Sequence, residues 1–193
     1  NLVDDSTSPD AAIALPDTLA ALGKGGFDAL VPFDFELRLP HAQQVQLAAT
    51  VPLVAANLKG PEDVPVQPFV MRERKGKRIA IIGLVDAEHV KRYSLYQADH
   101  GWETEDPFVA LPRVLRDVKQ QKPDAVVLVT NLQEDELPRL RDAAVGVTAI
   151  VTRFQTRGEW DYKERFETGA RNARQELLPW VMVGGSKDQV GRL

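Results

Sequence analysis

The sequence predicts an α/β fold, and three observations support that prediction. Apolar strand-like runs alternate along the chain with segments of helical spacing, which is the pattern of α/β proteins. The clearest run, Arg78–Val85, is apolar from Ile79 onward, as is typical of a strand buried on both faces. With 193 residues, 44% of them hydrophobic and 27% charged, the chain can form one ordinary domain with a buried core.

Proline and glycine separate the elements expected in the first half of the chain. A short helix over Leu15–Leu22 has Pro16 in its first turn and ends before Gly23–Gly26. A strand, a second helix, another strand and a hairpin with its turn at Lys75-Gly76 follow. The expected bounds of these elements are Asp28–Phe33, His41–Thr50, Pro52–Ala56, Phe69–Arg74 and Lys77–Val85.

The second half begins with an expected irregular stretch, residues 86–106, that is rich in Tyr, His and Asp. Helices and strands then alternate until a final strand that precedes Gly184-Gly185. The expected elements are the helix Pro107–Gln121, the strand Asp124–Thr130, the helix Glu134–Ala144, the strand Val147–Thr152, a loop and helix over Arg157–Glu176, and the strand Trp180–Val183. Because no repeat or linker interrupts this order, the prediction is a single domain over residues 1–193.

Composition excludes several classes of function. The chain has no cysteine, so it has no disulfide, no thiolate nucleophile and no cysteine-based zinc or iron–sulfur site. Its net charge of −4 argues against a nucleic-acid partner. No apolar run approaches the ~20 residues of a membrane span, and the first residues do not resemble a signal peptide.

The stretch Phe33-Asp34-Phe35-Glu36 resembles the Gly-Asn-His-Glu loop of the 5′-nucleotidase branch of the calcineurin-like metallophosphoesterases. Other segments resemble the same family in order and spacing: Leu53–Asn57, Lys75–Leu84, Asp106–Leu128 and Val181–Leu193. The resemblance implies an αββα sandwich with two mixed β-sheets, trimmed of its first βα unit. It also implies that the chain is a piece of a longer protein.

The resemblance further implies that the metal chemistry of the family has been lost. Members hold two adjacent metal ions with Asp, His and Asn side chains, and the metals clamp phosphate oxygens and generate a hydroxide. At the matched positions Asp5 (or Asp4) stands for the bridging Asp, and Asp34 stands for the Asn. Every matched His is replaced, by Phe35, Asn131, Phe154 and Thr156. Phenylalanine neither binds a metal nor donates a proton, so no catalytic residue and no cofactor is expected.

Possible ligand-binding roles remain open for residues at and near the matched positions. Asp5, Asp34 and Asn131 could still bind Mg²⁺, Ca²⁺ or Mn²⁺ as oxygen ligands, although inherited strand-end polar groups are the favoured interpretation. Asn57 could contact a ligand, but an Asn after a strand also suits a turn, which is favoured. Arg153 could contact an anionic ligand, or could form the favoured salt bridge with Asp34 or Asp5.

A group of aromatic and ionisable residues could line a pocket or a partner surface. The favoured alternative is an ordinary connection with half-buried aromatic side chains. The group consists of His89, Tyr93, Tyr96, Asp99, His100, Trp102 and Glu103.

The functional expectation is a non-catalytic metallophosphoesterase-like domain that serves as a binding or scaffolding module. Its partner is an unidentified protein or small molecule, or other domains of the same polypeptide. The alternative is an active metal-dependent phosphoesterase, with an altered site or with ligands supplied from before Asn1. By analogy with the family, the expected location is periplasmic or exported.

Overall fold

The computed structural model describes residues 20–94, 101–153, 165–167 and 169–183. Residues 20–25 are helical, and Glu134–Glu136 form one turn of 3₁₀-helix. The remaining helices are α1 (Asp34–Arg38), α2 (His41–Thr50), α3 (Ala87–Ser94), α4 (Pro107–Gln120) and α5 (Leu137–Ala143). The strands are β1 (Leu53–Val54), β2 (Leu58–Lys59), β3 (Val66–Gln67), β4 (Phe69–Arg74), β5 (Lys77–Leu84), β6 (Glu103–Thr104), β7 (Ala125–Thr130), β8 (Ala149–Arg153), β9 (Arg165–Glu167) and β10 (Trp180–Val183).

A six-stranded mixed sheet is the main structural element, with the order β4-β5-β7-β8-β10-β9. Strands β5, β7, β8 and β10 are parallel, while β4 and β9 are antiparallel edge strands. Parallel neighbours need crossover connections. Helix α4 connects β5 to β7, and helix α5 connects β7 to β8. The main core forms where these helices cover the sheet, and Ile82, Leu128 and Leu140 in it are fully buried. No helix in the described ranges is long and apolar enough to cross a bilayer.

A smaller layer packs directly on β5. Strand β1 pairs in parallel with β3 and, through a single bridge from Leu53, with Leu30. A Cβ atom at Gly83 would lie 1.9 Å from the carbonyl oxygen of Val54, so only glycine allows this approach of two backbones. The amide of Ala56 then donates to the carbonyl of Gly83 at 2.8 Å. This contact brings the end of β1 beside the end of β5.

Several sequence predictions are confirmed with their bounds. Helix His41–Thr50 and strand Trp180–Val183 are as expected, and the α/β class is confirmed. The hairpin between β4 and β5 turns at Lys75 and Gly76, with φ angles of 51° and 71°. Positive φ at both central residues is the type I′ conformation, which matches the twist of the flanking strands.

Three other predicted elements differ in the structure, because of pairing between residues distant in sequence or because of local helix capping. The expected strand Asp28–Phe33 is reduced to one bridge at Leu30, and the strand-end loop after it is helix α1. The irregular stretch 86–106 contains helix α3 and strand β6, because each has a cap or a pairing partner. Within Arg157–Glu176, residues Arg165–Glu167 form strand β9 instead of helix, since they pair with β10.

Candidate strand-end site

The strand-end region comprises the residues that follow the parallel strands at their carboxyl ends. These are residues 31–33 after the Leu30 bridge, 55–57 after β1, 85–86 after β5, 131–133 after β7, and Arg153 at the end of β8. In α/β sheets this edge is where ligands usually bind. The expected site residues Asn57, Asn131 and Arg153 therefore all fall at this edge.

Two asparagines bind consecutive backbone amides just after β5. Asn57 Oδ1 accepts from the Val85 amide at 2.9 Å, and Asn131 Oδ1 accepts from the Asp86 amide at 2.7 Å. Asn57 also donates through Nδ2 to the carbonyls of Val85 (2.8 Å) and Glu105 (3.1 Å). Both asparagines are 2% exposed. They are thus backbone clamps that join the ends of β1, β5 and β7.

Asp86 is a buried carboxylate that caps helix α3. Its Oδ1 accepts from the amides of Glu88 (2.9 Å) and His89 (3.1 Å), as an N-cap carboxylate does at the start of a helix. Its Oδ2 accepts from Gln133 Nε2 at 3.2 Å. Both carboxylate oxygens therefore have protein partners, and the loops after β5 and β7 are tied together.

Glu136 lies near the Asp86 carboxylate, whose charge affects the pKa of Glu136. Its Oε2 accepts from the Gln133 amide at 3.2 Å. Burial raises the pKa of Glu136 above its ordinary value, and the nearby charge of Asp86 adds to that rise. The hydrogen bond from Gln133 acts in the opposite direction. The Glu136 carboxyl therefore gives up its proton less readily than an exposed glutamate does.

Glu36, the one family residue kept in the altered loop, has a structural partner. Its Oε2 accepts from the amide of Phe33 at 2.8 Å, which is the reciprocal half of a capping box at the start of α1. Gln44 of α2 donates to the carbonyl of Leu37 at 3.0 Å, so α1 is also held from its other side. The retained acid explains why a helix forms where the sequence suggested a loop.

An apolar cluster closes the same edge. Helix α1 packs against helix α3, and Leu37 and Val90 contribute to a cluster with Val31, Ala55 and Val85. These five side chains are between 0% and 5% exposed. The cluster buries residues that directly follow the Leu30 bridge, β1 and β5. Apolar side chains therefore fill part of the strand-end region.

Solved structures share this architecture. The chain superimposes on the NAD nucleotidase of Haemophilus influenzae with a TM-score of 0.65 and 15% identity, covering 94% of this chain and 34% of that one. For the 5′-nucleotidase precursor of Thermus thermophilus the TM-score is 0.64 at 14% identity, with coverages of 88% and 36%. The chain has the metallophosphoesterase fold.

The calcineurin-like phosphoesterase YfkN of Bacillus subtilis matches this fold as well, with a TM-score of 0.62 at 14% identity over 95% of this chain and 65% of that one. No protein-family model and no curated protein matches the sequence. The chain spans about a third of the length of the first two enzymes. The resemblance found in the sequence is thereby confirmed at the level of the fold.

The metallophosphoesterase fold implies a metal pair, and the described residues do not fit one. No three His, Asp or Glu side chains within the described ranges come together as a metal site. Asn131, which the sequence resemblance matches to a metal-binding His, directs its oxygen to a backbone amide, and Asp86 has both oxygens engaged. Such a site needs several available donor atoms, and the side-chain oxygens of Asn131 and Asp86 are already used in hydrogen bonds.

The remaining predicted positions are only partly placed. Asp5, Phe154 and Thr156 lie outside the described residues, as does Asp4. Asp34 and Phe35 belong to helix α1, but their side chains lie outside the described part. Arg153 ends β8 opposite Val183 of β10, and its side chain is likewise not described. The metal, anion and salt-bridge alternatives at these positions stay predictions.

The group of aromatic and ionisable residues 89–103 is also only partly described by the structure. Tyr96, Asp99 and His100 lie outside the described residues, as does the side chain of Tyr93. Trp102 is half-buried and packs against two apolar clusters, and Glu103 pairs with Lys59 at the surface. The described members therefore make structural contacts.

Sequence reasoning missed Asp86 and Gln133, which tie the strand-end loops together. The available signal was an Asp directly before the helix-forming stretch Ala87–Ser94, since Asp is a favoured N-cap residue.

Proposed function

We propose that this chain is a non-catalytic domain with the metallophosphoesterase fold, and that it acts as a binding or scaffolding module. The observation that carries this proposal is the use of Asn57 and Asn131 as clamps on the Val85 and Asp86 amides. At the edge where an enzyme would present metal ligands, these side chains hold the protein's own backbone. Their role is structural.

The energetic cost of reversing this arrangement supports the proposal. To bind a metal, Asn131 Oδ1 would have to leave the Asp86 amide, with which it forms a 2.7 Å bond, and that amide is in a buried region. An unpaired buried donor costs about 1–3 kcal/mol. Releasing an Asp86 oxygen would in addition remove a cap from α3 or the bond from Gln133. Binding a metal would therefore cost the free energy of several lost hydrogen bonds.

A metal and hydrolysis assay tests the proposal. The purified chain is incubated with Mn²⁺, Zn²⁺ or Mg²⁺, freed of unbound metal, and analysed for bound metal. It is then offered an aryl phosphate, a nucleoside 5′-monophosphate and NAD. We expect less than stoichiometric metal and no hydrolysis above background.

The variant Asn131→Ala is the control for contaminating phosphatases, because a contaminant would be insensitive to it. Stoichiometric Mn²⁺ or Zn²⁺, together with hydrolysis that a chelator and Asn131→Ala both abolish, would show an active phosphoesterase and overturn the proposal.

We also propose that the module works beside further domains of the same polypeptide and in an exported location. The shared fold with much longer proteins, one of them a 5′-nucleotidase precursor, supports both points. Fractionation of cells that express the full-length gene product tests the location. Recovery in the cytoplasmic fraction alone would contradict it.

A further inference from the structure

The edge of the main sheet opposite the strand-end region carries a concentration of basic residues. This basic edge is defined by three segments: 72–78 in the β4–β5 hairpin, 119–124 in the turn before β7, and 171–176 in the turn before β10. Because β5, β7 and β10 are parallel and β4 runs back along β5, all three segments lie at the amino-terminal edge of the sheet.

The charge of the basic edge is opposite to that of the chain. Its three segments contain nine Lys or Arg residues and three Asp or Glu residues, a surplus of six positive charges. The whole chain has a net charge of −4, so the rest of the molecule is strongly acidic. Because positive charge is concentrated at the basic edge, an anionic partner should attract this edge and repel the rest of the molecule.

Two of the acids near the basic edge form salt bridges with its cations. Asp28 pairs with Arg72 and Arg74, and Asp124 pairs with Lys77. Within the described ranges, five exposed cations of this edge form no ion pair. They are Lys75, Arg78, Lys119, Lys122 and Arg174, of which Arg78 and Arg174 lie close enough to Asp124 and Glu176 to help lower the pKa of those carboxyls.

Two apolar side chains flank these cations. Among the described residues, three large hydrophobic side chains are strongly exposed, and two of them, Phe27 (48%) and Leu177 (56%), lie at this edge. Phe27 precedes Asp28, which is bound to the β4–β5 hairpin, and Leu177 forms a bridge with Arg171. Exposed apolar residues beside Lys and Arg are typical of surfaces that contact lipid headgroups.

We propose that the basic edge docks on an anionic lipid bilayer, with the cations against the headgroups and Phe27 and Leu177 at the acyl boundary. Four parallel strands about 4.8 Å apart spread the cations over about 15 Å, so a small anion could meet only one or two of them. A charged bilayer meets all of them at once, and each contributes to attraction. The proposal does not depend on whether the strand-end region is catalytic.

Vesicle flotation tests the proposal. The chain is mixed with vesicles of phosphatidylcholine alone or of phosphatidylcholine with phosphatidylglycerol, at low and at high salt. We expect flotation only with the anionic vesicles, and less of it at high salt because screening weakens surface attraction. The triple variant Lys75→Gln, Arg78→Gln, Lys122→Gln should bind about a hundredfold more weakly, at about fivefold for each charge.

The matched control removes the same number of charges elsewhere, with Lys59→Gln, Lys91→Gln and Arg116→Gln. All six positions are exposed, so both variants should keep the wild-type circular dichroism spectrum. Equal weakening by the control, or no preference for anionic vesicles, would overturn the proposal. Binding of a duplex or single-stranded oligonucleotide in the absence of vesicle binding would also overturn it, in favour of a nucleic-acid surface.

Discussion

Replacement of Asn57 by alanine should destabilise the protein more than most single substitutions. The side chain is 2% exposed and makes three hydrogen bonds, to the Val85 amide, the Val85 carbonyl and the Glu105 carbonyl, at 2.8–3.1 Å. Each typical bond contributes about 1 kcal/mol, so their joint loss should cost about 3 kcal/mol. The cost rises if the three backbone groups find no water.

Urea unfolding followed by tryptophan fluorescence measures this loss. With a slope of about 3 kcal/mol per molar urea, the midpoint should fall by about 1 M, and the melting temperature by about 6–12 °C. Gln67→Ala is the control, because Gln67 ends a strand with an exposed side chain, and it should change stability by less than about 0.5 kcal/mol.

A loss below about 1 kcal/mol for Asn57→Ala, with an unchanged slope, would refute this reasoning. It would mean that the backbone groups after β5 are satisfied without the asparagine. Asn57 would then be better interpreted as a ligand contact, the alternative that the sequence left open.

Three further predictions concern the backbone, the pH dependence and the hairpin. Gly83→Ala should cost about 3 kcal/mol or more in urea unfolding, because the new Cβ would meet the Val54 carbonyl at 1.9 Å; wild-type stability would contradict the close approach. Burial raises the pKa of Glu136, so the folded state holds that proton more tightly than the unfolded state, and stability falls as pH rises from 4.5 through the raised value. Glu136→Gln should remove this fall and gain stability relative to wild type as pH increases; parallel pH profiles of the two proteins would argue against it. Lys75→Asn should raise stability by about 0.4–1 kcal/mol, because Asn tolerates the positive φ of a type I′ turn better than Lys, and a lower melting temperature would contradict this.

Local sequence signals were sufficient where an element is specified by its own residues. The apolar run from Ile79, the two-residue turn at Lys75-Gly76 and the proline before His41 each predict an element that the structure contains. They failed where a distant partner decides the outcome. Strand β9 exists through pairing with β10, and the segment at Leu30 forms a single bridge, to Leu53 of the two-residue strand β1.

The candidate site shows the same division. The sequence predicts an ordered set of histidine replacements at Phe35, Asn131, Phe154 and Thr156, because ligand residues are matched by type and order, and this set stays a prediction. What Asn131 does instead could not be found, since its partner, the Asp86 amide, is 45 residues away. The role of Asp86 in joining α3 to Gln133 also depends on two strand ends meeting in space.

The sequence by itself determined the α/β class and the resemblance to the 5′-nucleotidase branch, because these depend on residue identity and spacing. From that resemblance it also predicted that every matched histidine is replaced. Only the tertiary structure decided that the altered loop is helix α1, capped by Glu36, and that the strand ends are closed by amide hydrogen bonds and an apolar cluster. It also decided that basic residues from three separate segments share one edge. The physical reason is that parallel strands bring residues distant in sequence to a common edge, where burial and hydrogen bonding fix the role of each.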